Sequence, residues 1–131
     1  MNAGRILRRA ELDTDELRLA LAPINPDNIN VWPASKWLRM FWRPGIKGVT
    51  QGRLIMVHPD LLKGDPDRLA KTVVHELVHV RQFRELGYAR FMFRYIRDHL
   101  RGRLGGVNAR ESYLQNPAEV EAREVTKRLV L

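Results

Sequence analysis

The spacing of apolar and polar residues along the chain predicts a mostly helical fold with a short sheet near the middle of the sequence. Helical spacing and capping residues predict helices from Asp13 or Thr14 to Leu21, from Pro66 to Leu86, from Tyr88 to about Arg101, in a short stretch after Asn108, and from Pro117 to the C-terminus. Asp65 and Gly87 mark the ends of the second of these helices, since aspartate is a good N-cap and glycine a good C-cap.

Strand-like composition is confined to the region between the first and second predicted helices. Residues 46–50 and 53–58 flank Gln51-Gly52, a predicted hairpin turn, and Ile29 to Trp32 is predicted to be a short extended segment. The expected fold class is therefore α+β. We expect one compact, mostly helical domain over residues 1–131, with a small hairpin or sheet packed on the helix 66–86.

Two segments combine apolar residues with cations. Residues 35–42 are predicted to form a short helix or an irregular aromatic cluster, and the aromatic residues expected in the core are Trp32, Trp37, Phe41 and Trp42. The helix from Tyr88 carries a stripe of arginines at positions 90, 94, 97 and 101 beside the apolar residues Phe91, Met92, Phe93, Tyr95, Ile96 and Leu100. The favoured interpretation packs these apolar residues on the core, ahead of a membrane- or polyanion-binding face.

The amino-acid composition restricts the kinds of site that the chain can form. The chain has 131 residues, 44% hydrophobic and 29% charged, which is typical of a globular protein. It has no cysteine, so disulfides and thiolate metal sites are excluded. No signal-peptide pattern or membrane span is recognisable, so a cytoplasmic location is expected. The net charge of +8 is compatible with binding to nucleic acid or an anionic membrane, but neither is favoured, and no pattern indicates an oligomeric state.

The sequence His75-Glu76-Leu77-Val78-His79 lies within the second helix and carries the most specific chemistry. Two histidines four residues apart share one helical face about 6 Å apart, so both can bind one ion. Glu76 is rotated by roughly a quarter turn from His75, where it can contact water on that ion. The apolar flanks make burial of these polar groups costly without a partner. Metal binding is therefore favoured over two core histidines bonded to backbone carbonyls.

Two histidines leave a metal ion short of ligands, and the last helix supplies candidates. Glu119, Glu121 and Glu124 point in different directions, so only one or two of them can reach the ion. Glu119 also has the spacing of a capping box with Asn116, and Glu121 is the alternative ligand.

These motifs resemble those of the zincin metallopeptidases, and more closely those of the glutamate-liganded gluzincins. Glu119-Val120-Glu121-Ala122 matches the gluzincin pattern E-x-E-A, with Glu119 in the ligand position. Residues 50–58 and the helix segment His75 to Gln82 are also similar to an uncharacterised bacterial family of small zincin-like domains. Many gluzincins have an acidic residue where this chain has Arg123. The resemblance implies a zincin-like fold with one Zn²⁺ per chain, held by His75, His79 and Glu119.

The activity that the resemblance implies is peptide-bond hydrolysis of a peptide or protein substrate. Glu76 would act as general base on a zinc-bound water, and the strand near residues 53–57 would pair with an extended substrate. Tyr113 is expected to be the oxyanion donor, although it can equally anchor the last helix. Less favoured candidates are Tyr88, Tyr95 and Arg110 for the oxyanion role, and His58 and His99 as extra ligands.

Two other functions remain open. The chain can be a zinc-binding structural or interaction module without proteolytic activity. It can also be a basic protein that binds nucleic acid or a membrane surface, in which the histidine motif is incidental.

Overall fold

The computed structural model describes residues 1–42 and 45–130, and over these residues the chain has an α+β fold dominated by helices. The first half contains the elements α1 (Ala3–Arg9), α2 (Asp15–Leu21), β1 (Val31–Pro33), α3 (Lys36–Arg39), β2 (Gly48–Gln51) and β3 (Leu54–Val57). The second half contains α4 (Pro59–Lys63), α5 (Pro66–Leu86), α6 (Tyr88–Leu104), α7 (Ala109–Gln115) and α8 (Pro117–Leu129). No described helix has the length and apolar character needed to cross a membrane.

Helix α5 is the centre of the molecule. The Asp65 side chain caps its start, and it ends at Gly87, which adopts a φ of 82°. Helices α1, α2, α4, α6 and α8 and strands β2 and β3 all pack on it. Its buried face includes Val73, Val74 and Leu77, each with no exposed surface. Burial of one such side chain stabilises the fold by roughly 1.5–3 kcal/mol, so this helix anchors the rest of the structure.

The three strands form a mixed sheet in the order β1-β3-β2. β3 is parallel to β1, with Val31 opposite Ile55, and antiparallel to β2, with Thr50 opposite Ile55. The expected hairpin is present, and Gly52 in its turn has a φ of 64°. The expectation that residues 53–57 offer an edge to a substrate is wrong, because β3 is bonded on both sides. The open edge next to α5 belongs to β2.

Two α-helices of the described residues, and the 3-10 helix Pro26–Asn28, were not predicted from the sequence. Asn2 caps α1, and Ile6 and Leu7 of this helix are buried against α5. His58 caps α4 directly after β3, where only the end of the strand was expected. Both helices are short, and Gly4 within α1 lowers its helical propensity, so local spacing gave little indication of either.

The expected placement of the aromatic residues is wrong. Trp32, Trp37 and Phe41 are exposed, and Trp42 is half-buried. The four-residue helix α3 contributes no buried residue to the core. An aromatic run was interpreted as core because burial usually stabilises such residues, but the core around α5 is already filled by aliphatic side chains.

Helix α6 also differs from its prediction. Phe91 is buried, but Phe93, Ile96 and Leu100 are exposed. The helix packs on α5, α7 and α8. These neighbours do not cover the stripe that contains the three exposed residues, so only part of its apolar surface joins the interior.

Candidate metal centre

Helices α5 and α8 bring His75, His79 and Glu119 together. The two imidazole rings are 5.1 Å apart between centroids. His75 Nε2 lies 3.0 Å from Glu119 Oε2, and His79 Nε2 lies 3.1 Å from Glu119 Oε1. One ligand atom from each of the three residues falls within 4.8 Å of the others. Because all three side chains offer atoms that bind divalent cations, this group can hold a metal ion.

Glu119 lies in the first turn of α8, and its side chain points toward His75 and His79. Asn116 caps this helix by accepting a hydrogen bond from Ala118 N, and Pro117 occupies its first position. The Glu119 side chain is turned toward the imidazoles and is 4% exposed. The alternative role of Glu119 in a capping box with Asn116 is therefore not adopted.

The electrostatics of the group favour a cation. Burial alone would raise the pKa of Glu119, but the hydrogen bonds and charges of His75 and His79 outweigh burial and hold it far below its usual value. Burial opposes protonation of His79, yet the hydrogen bond to Glu119 and the negative charges of Glu76 and Glu119 raise the pKa of His79 to about 9. The carboxylates thus make this buried site attractive to positive charge.

Gln82 orients His79 from one turn further along α5. Its amide Nε2 lies 3.1 Å from Ala118 O and 2.7 Å from Glu121 Oε1, and both of these atoms can only accept. The amide oxygen must therefore face His79 Nδ1, at 2.8 Å, and accept a hydrogen bond from it. Because Nδ1 keeps its proton in this hydrogen bond, Nε2, which faces Glu119, is the nitrogen that would give up its proton to bind a metal ion.

The remaining acidic residues of α8 do not join the group. Glu121, the alternative ligand, pairs with Arg81 at 2.9 Å and accepts from Gln82. Arg123, at the position where many gluzincins have an acidic residue, donates to Leu114 O. The side chain that contacts His79 Nδ1 is that of Gln82, a contact that sequence reasoning had not assigned.

Glu76 lies beside the group and is held by the sheet. Thr50 of β2 donates a hydrogen bond of 2.5 Å to Glu76 Oε2, and both residues are buried. A Cβ atom added to Gly48 would lie 3.3 Å from Glu76 Oε1, so the strand passes close to the carboxylate. Glu76 lines the same cleft as His79 and Glu119 but is not part of the metal-binding group.

Two tyrosines contact the Glu119 carboxylate. Tyr95 donates to Glu119 Oε1 at 3.2 Å. Burial, followed by the negative charges of Glu119 and Glu76 and a hydrogen bond to Glu119, raises the pKa of Tyr113 well above its usual value. The Tyr113 hydroxyl therefore keeps its proton at neutral pH and acts as a donor beside Glu119 and Glu76.

The other candidates named from the sequence do not belong to the group formed by His75, His79 and Glu119. Tyr88 donates to Gln51 of β2 at 2.8 Å, and Arg110 is an exposed residue of α7. His58 caps α4 and contacts Arg39, and His99 lines the cleft. Neither histidine belongs to the metal-binding group found among residues 1–42 and 45–130.

Two clefts meet at Glu76. The first, of about 410 Å³, runs between β2 and α6 and is lined mainly by apolar residues. The second, of about 720 Å³, lies between α5 and α8 and includes His75; its charged lining is mostly cationic, from Lys47, Arg68, Lys71, Arg123 and Lys127. Tyr113 and Gly48 border both clefts. The group of ligands is therefore accessible from an apolar side and from a basic side.

Comparisons with known proteins give no family for this chain. It matches no protein-family model, no curated protein and no solved structure.

Proposed function

We propose that the protein is a zinc-dependent peptidase with His75, His79 and Glu119 as the metal ligands. The observation that carries the proposal is the convergence of these three side chains from two helices, with Glu76 buried next to them. Ligand atoms on a tetrahedral zinc ion lie about 3.3 Å apart. The imidazoles lie 3.0 and 3.1 Å from the two oxygens of Glu119, and the three ligand atoms lie within 4.8 Å of one another, so side-chain movement alone would close them on one ion.

The choice of zinc follows from the donor set. Two imidazole nitrogens and one carboxylate are typical of catalytic zinc sites, which keep a fourth position for water or substrate. Bound zinc would supply Lewis acidity toward water and toward a substrate carbonyl. The hydrogen bond between Gln82 and His79 supports this assignment, because such outer contacts fix the tautomer of a histidine ligand.

The chain's own residues would supply the rest of the reaction. Glu76 would accept a proton from the attacking water and return it to the leaving amine. Thr50 would hold Glu76 in place through its 2.5 Å hydrogen bond. Tyr113 would donate to the oxygen of the scissile carbonyl, a role that its raised pKa supports. An extended substrate would lie along the open edge of β2, which borders the apolar cleft.

The test combines metal analysis with cleavage of a peptide library. We expect one zinc per chain in the purified protein and hydrolysis by the wild type. Glu76→Gln should keep the zinc and lower the turnover rate by about 10²–10⁴-fold. Glu85→Gln is the matched control, because Glu85 is a half-exposed glutamate of the same helix, outside both clefts.

Equal cleavage by the wild type and Glu76→Gln would refute the mechanism. One zinc per chain without hydrolysis of any library peptide would instead support the zinc-binding interaction module. Absence of zinc after growth in zinc-supplemented medium would refute both functions.

A further inference from the structure

Exposed apolar side chains are concentrated on two segments that lie beside the apolar cleft. The first is residues 36–42, where Trp37 is 74% and Phe41 80% exposed. The second is α6, where Phe93 is 66% and Leu104 88% exposed, with Ile96 and Leu100 also exposed. Monomeric proteins rarely leave a contiguous patch of large apolar residues in water without a use for it. The grouping of these exposed apolar residues therefore indicates a binding surface.

The apolar residues of α6 form a stripe next to the arginine stripe. Phe93, Ile96, Leu100 and Leu104 are spaced three or four residues apart and so share one face of the helix. The four arginines at positions 90, 94, 97 and 101 lie roughly a quarter turn away around the same helix. Asp98, the one acidic residue in the α6 sequence, falls on the far side from the apolar stripe. Asp98 forms an ion pair with Arg97 at 3.3 Å, so the positive charge beside the apolar stripe comes mainly from Arg90, Arg94 and Arg101.

Residues 36–42 repeat the combination of apolar and basic character. They contain Lys36 and Arg39 and no acidic residue, together with the exposed Trp37, Met40 and Phe41. Phe41 and Trp42 line the apolar cleft together with Ile96 and Leu100 of α6. The two segments therefore meet at this cleft, and we call their exposed apolar and basic residues together the aromatic-arginine face.

We propose that the aromatic-arginine face docks the protein on an anionic lipid bilayer. Tryptophan and phenylalanine favour the boundary between headgroups and acyl chains, where the apolar stripe would be buried. Arginine side chains beside the stripe can reach lipid phosphates while their methylene groups remain in the apolar layer. Each basic residue near such a surface contributes to binding, and the net charge of +8 adds long-range attraction.

Other occupants fit the face less well. Nucleic acid would pair with the arginines but gives no reason for the exposed apolar residues Phe93 and Leu104 beside them on α6. A second copy of the chain would bring two arginine stripes together, and like charges oppose that contact. A bilayer accounts for the apolar and cationic components at once. The proposal is independent of whether the metal centre hydrolyses peptides.

The experiment is sedimentation of the full chain with vesicles of phosphatidylcholine alone or mixed with phosphatidylglycerol. We expect binding to the mixed vesicles and little to phosphatidylcholine alone. Phe93→Ser/Leu100→Ser should weaken binding by roughly tenfold or more, since each apolar side chain loses the free energy of burial. Arg94→Glu/Arg101→Glu should weaken it by a similar factor at low salt.

The matched control is Arg5→Glu/Arg128→Glu, which makes the same change in net charge at exposed positions of other helices. We expect it to alter binding less than threefold, and circular dichroism should show that every variant is folded. Equal loss in the control pair would overturn the proposal, because attraction would then depend on net charge alone. Absence of vesicle binding would also overturn the proposal. In that case, binding to a DNA duplex would indicate nucleic acid as the occupant, and a dimer that Phe93→Ser/Leu100→Ser abolishes would indicate a second copy of the chain.

Discussion

Gln82 contacts the metal-binding group but is not one of its three residues. Replacing it therefore changes the orientation of His79 without removing any of the three candidate ligands. Its amide oxygen accepts from His79 Nδ1, while its amide nitrogen donates to Ala118 O and Glu121 Oε1. The Gln82 side chain therefore orients the His79 imidazole and also connects α5 to the first turn of α8 through hydrogen bonds. Leucine at this position has a similar volume but can make none of the three hydrogen bonds.

The expected magnitudes follow from those contacts. Loss of an outer partner of a histidine ligand lowers metal affinity by about 10–100-fold. Gln82 is 6% exposed, so leucine would leave His79 Nδ1 and Ala118 O with a missing partner in a buried place. A buried polar group left without its partner costs about 1–3 kcal/mol. Gln82→Leu should therefore weaken zinc binding by about 10–100-fold and lower the free energy of unfolding by about 1–3 kcal/mol.

Gln82→Glu is the matched variant that separates the two effects. A carboxylate at position 82 still accepts from His79 Nδ1, so zinc affinity should stay within a few-fold of the wild type. It cannot donate to Ala118 O, and it repels Glu121, so the free energy of unfolding should fall as in Gln82→Leu. The contrast between the two variants isolates the orientation of His79.

The assay is competition for zinc with a chromophoric chelator, combined with urea unfolding of the metal-depleted protein. If Gln82→Leu binds zinc as tightly as the wild type, the orienting role assigned to Gln82 is wrong. The same conclusion follows if Gln82→Glu loses as much zinc affinity as Gln82→Leu, since only the former keeps an acceptor for the histidine.

Three further predictions concern the support of the centre and the stability of the fold. Thr50→Val should slow peptide hydrolysis and lower the free energy of unfolding by about 1–3 kcal/mol, because Glu76 loses its donor, and Thr50→Ser should restore both quantities. Gly48→Ala should slow hydrolysis without changing zinc content, since its Cβ would lie 3.3 Å from Glu76 Cγ and shift that side chain; an unchanged rate would contradict this. The hydrogen bond from Arg18 lowers the pKa of Asp13, so the stabilisation that Asp13 provides is present above the unfolded pKa near 4 and is lost as the pH falls through the lower folded pKa. Asp13→Asn should thus cost about 1 kcal/mol at neutral pH and almost nothing in strong acid, as measured by urea unfolding at both pH values.

The helices with explicit end signals were predictable from the sequence. The bounds of α5 and the start of α8 agree with the structure, because Asp65, Asn116 and Gly87 act through local backbone hydrogen bonding. Burial was harder to predict. The aromatic residues near α3 and on α6 were expected in the core, yet whether a side chain is covered depends on which elements pack over it, and that is a tertiary property.

The same distinction applies to the candidate site. His75 and His79 are paired by helical spacing alone, so the sequence was sufficient to place them on one face. Glu119 was chosen from a family resemblance and lies where that choice requires. The roles of Thr50 and Gln82 were missed because they depend on the position of β2 and α8 relative to α5, for which no local pattern exists.

The separation of 44 residues between His75 and Glu119 has a consequence for the folding of the C-terminal part of the chain. An ion bound by both residues would link them and close the chain segment between them into a loop, and removal of the ion would break this link. Bringing the ends of a loop of that length together costs the chain about 4 kcal/mol of entropy in the description used for covalent links, and binding of the ion to the folded chain would offset that cost. Chelation should therefore loosen the C-terminal helix first, and amide hydrogen exchange along Pro117–Leu129 would report the occupancy of the centre.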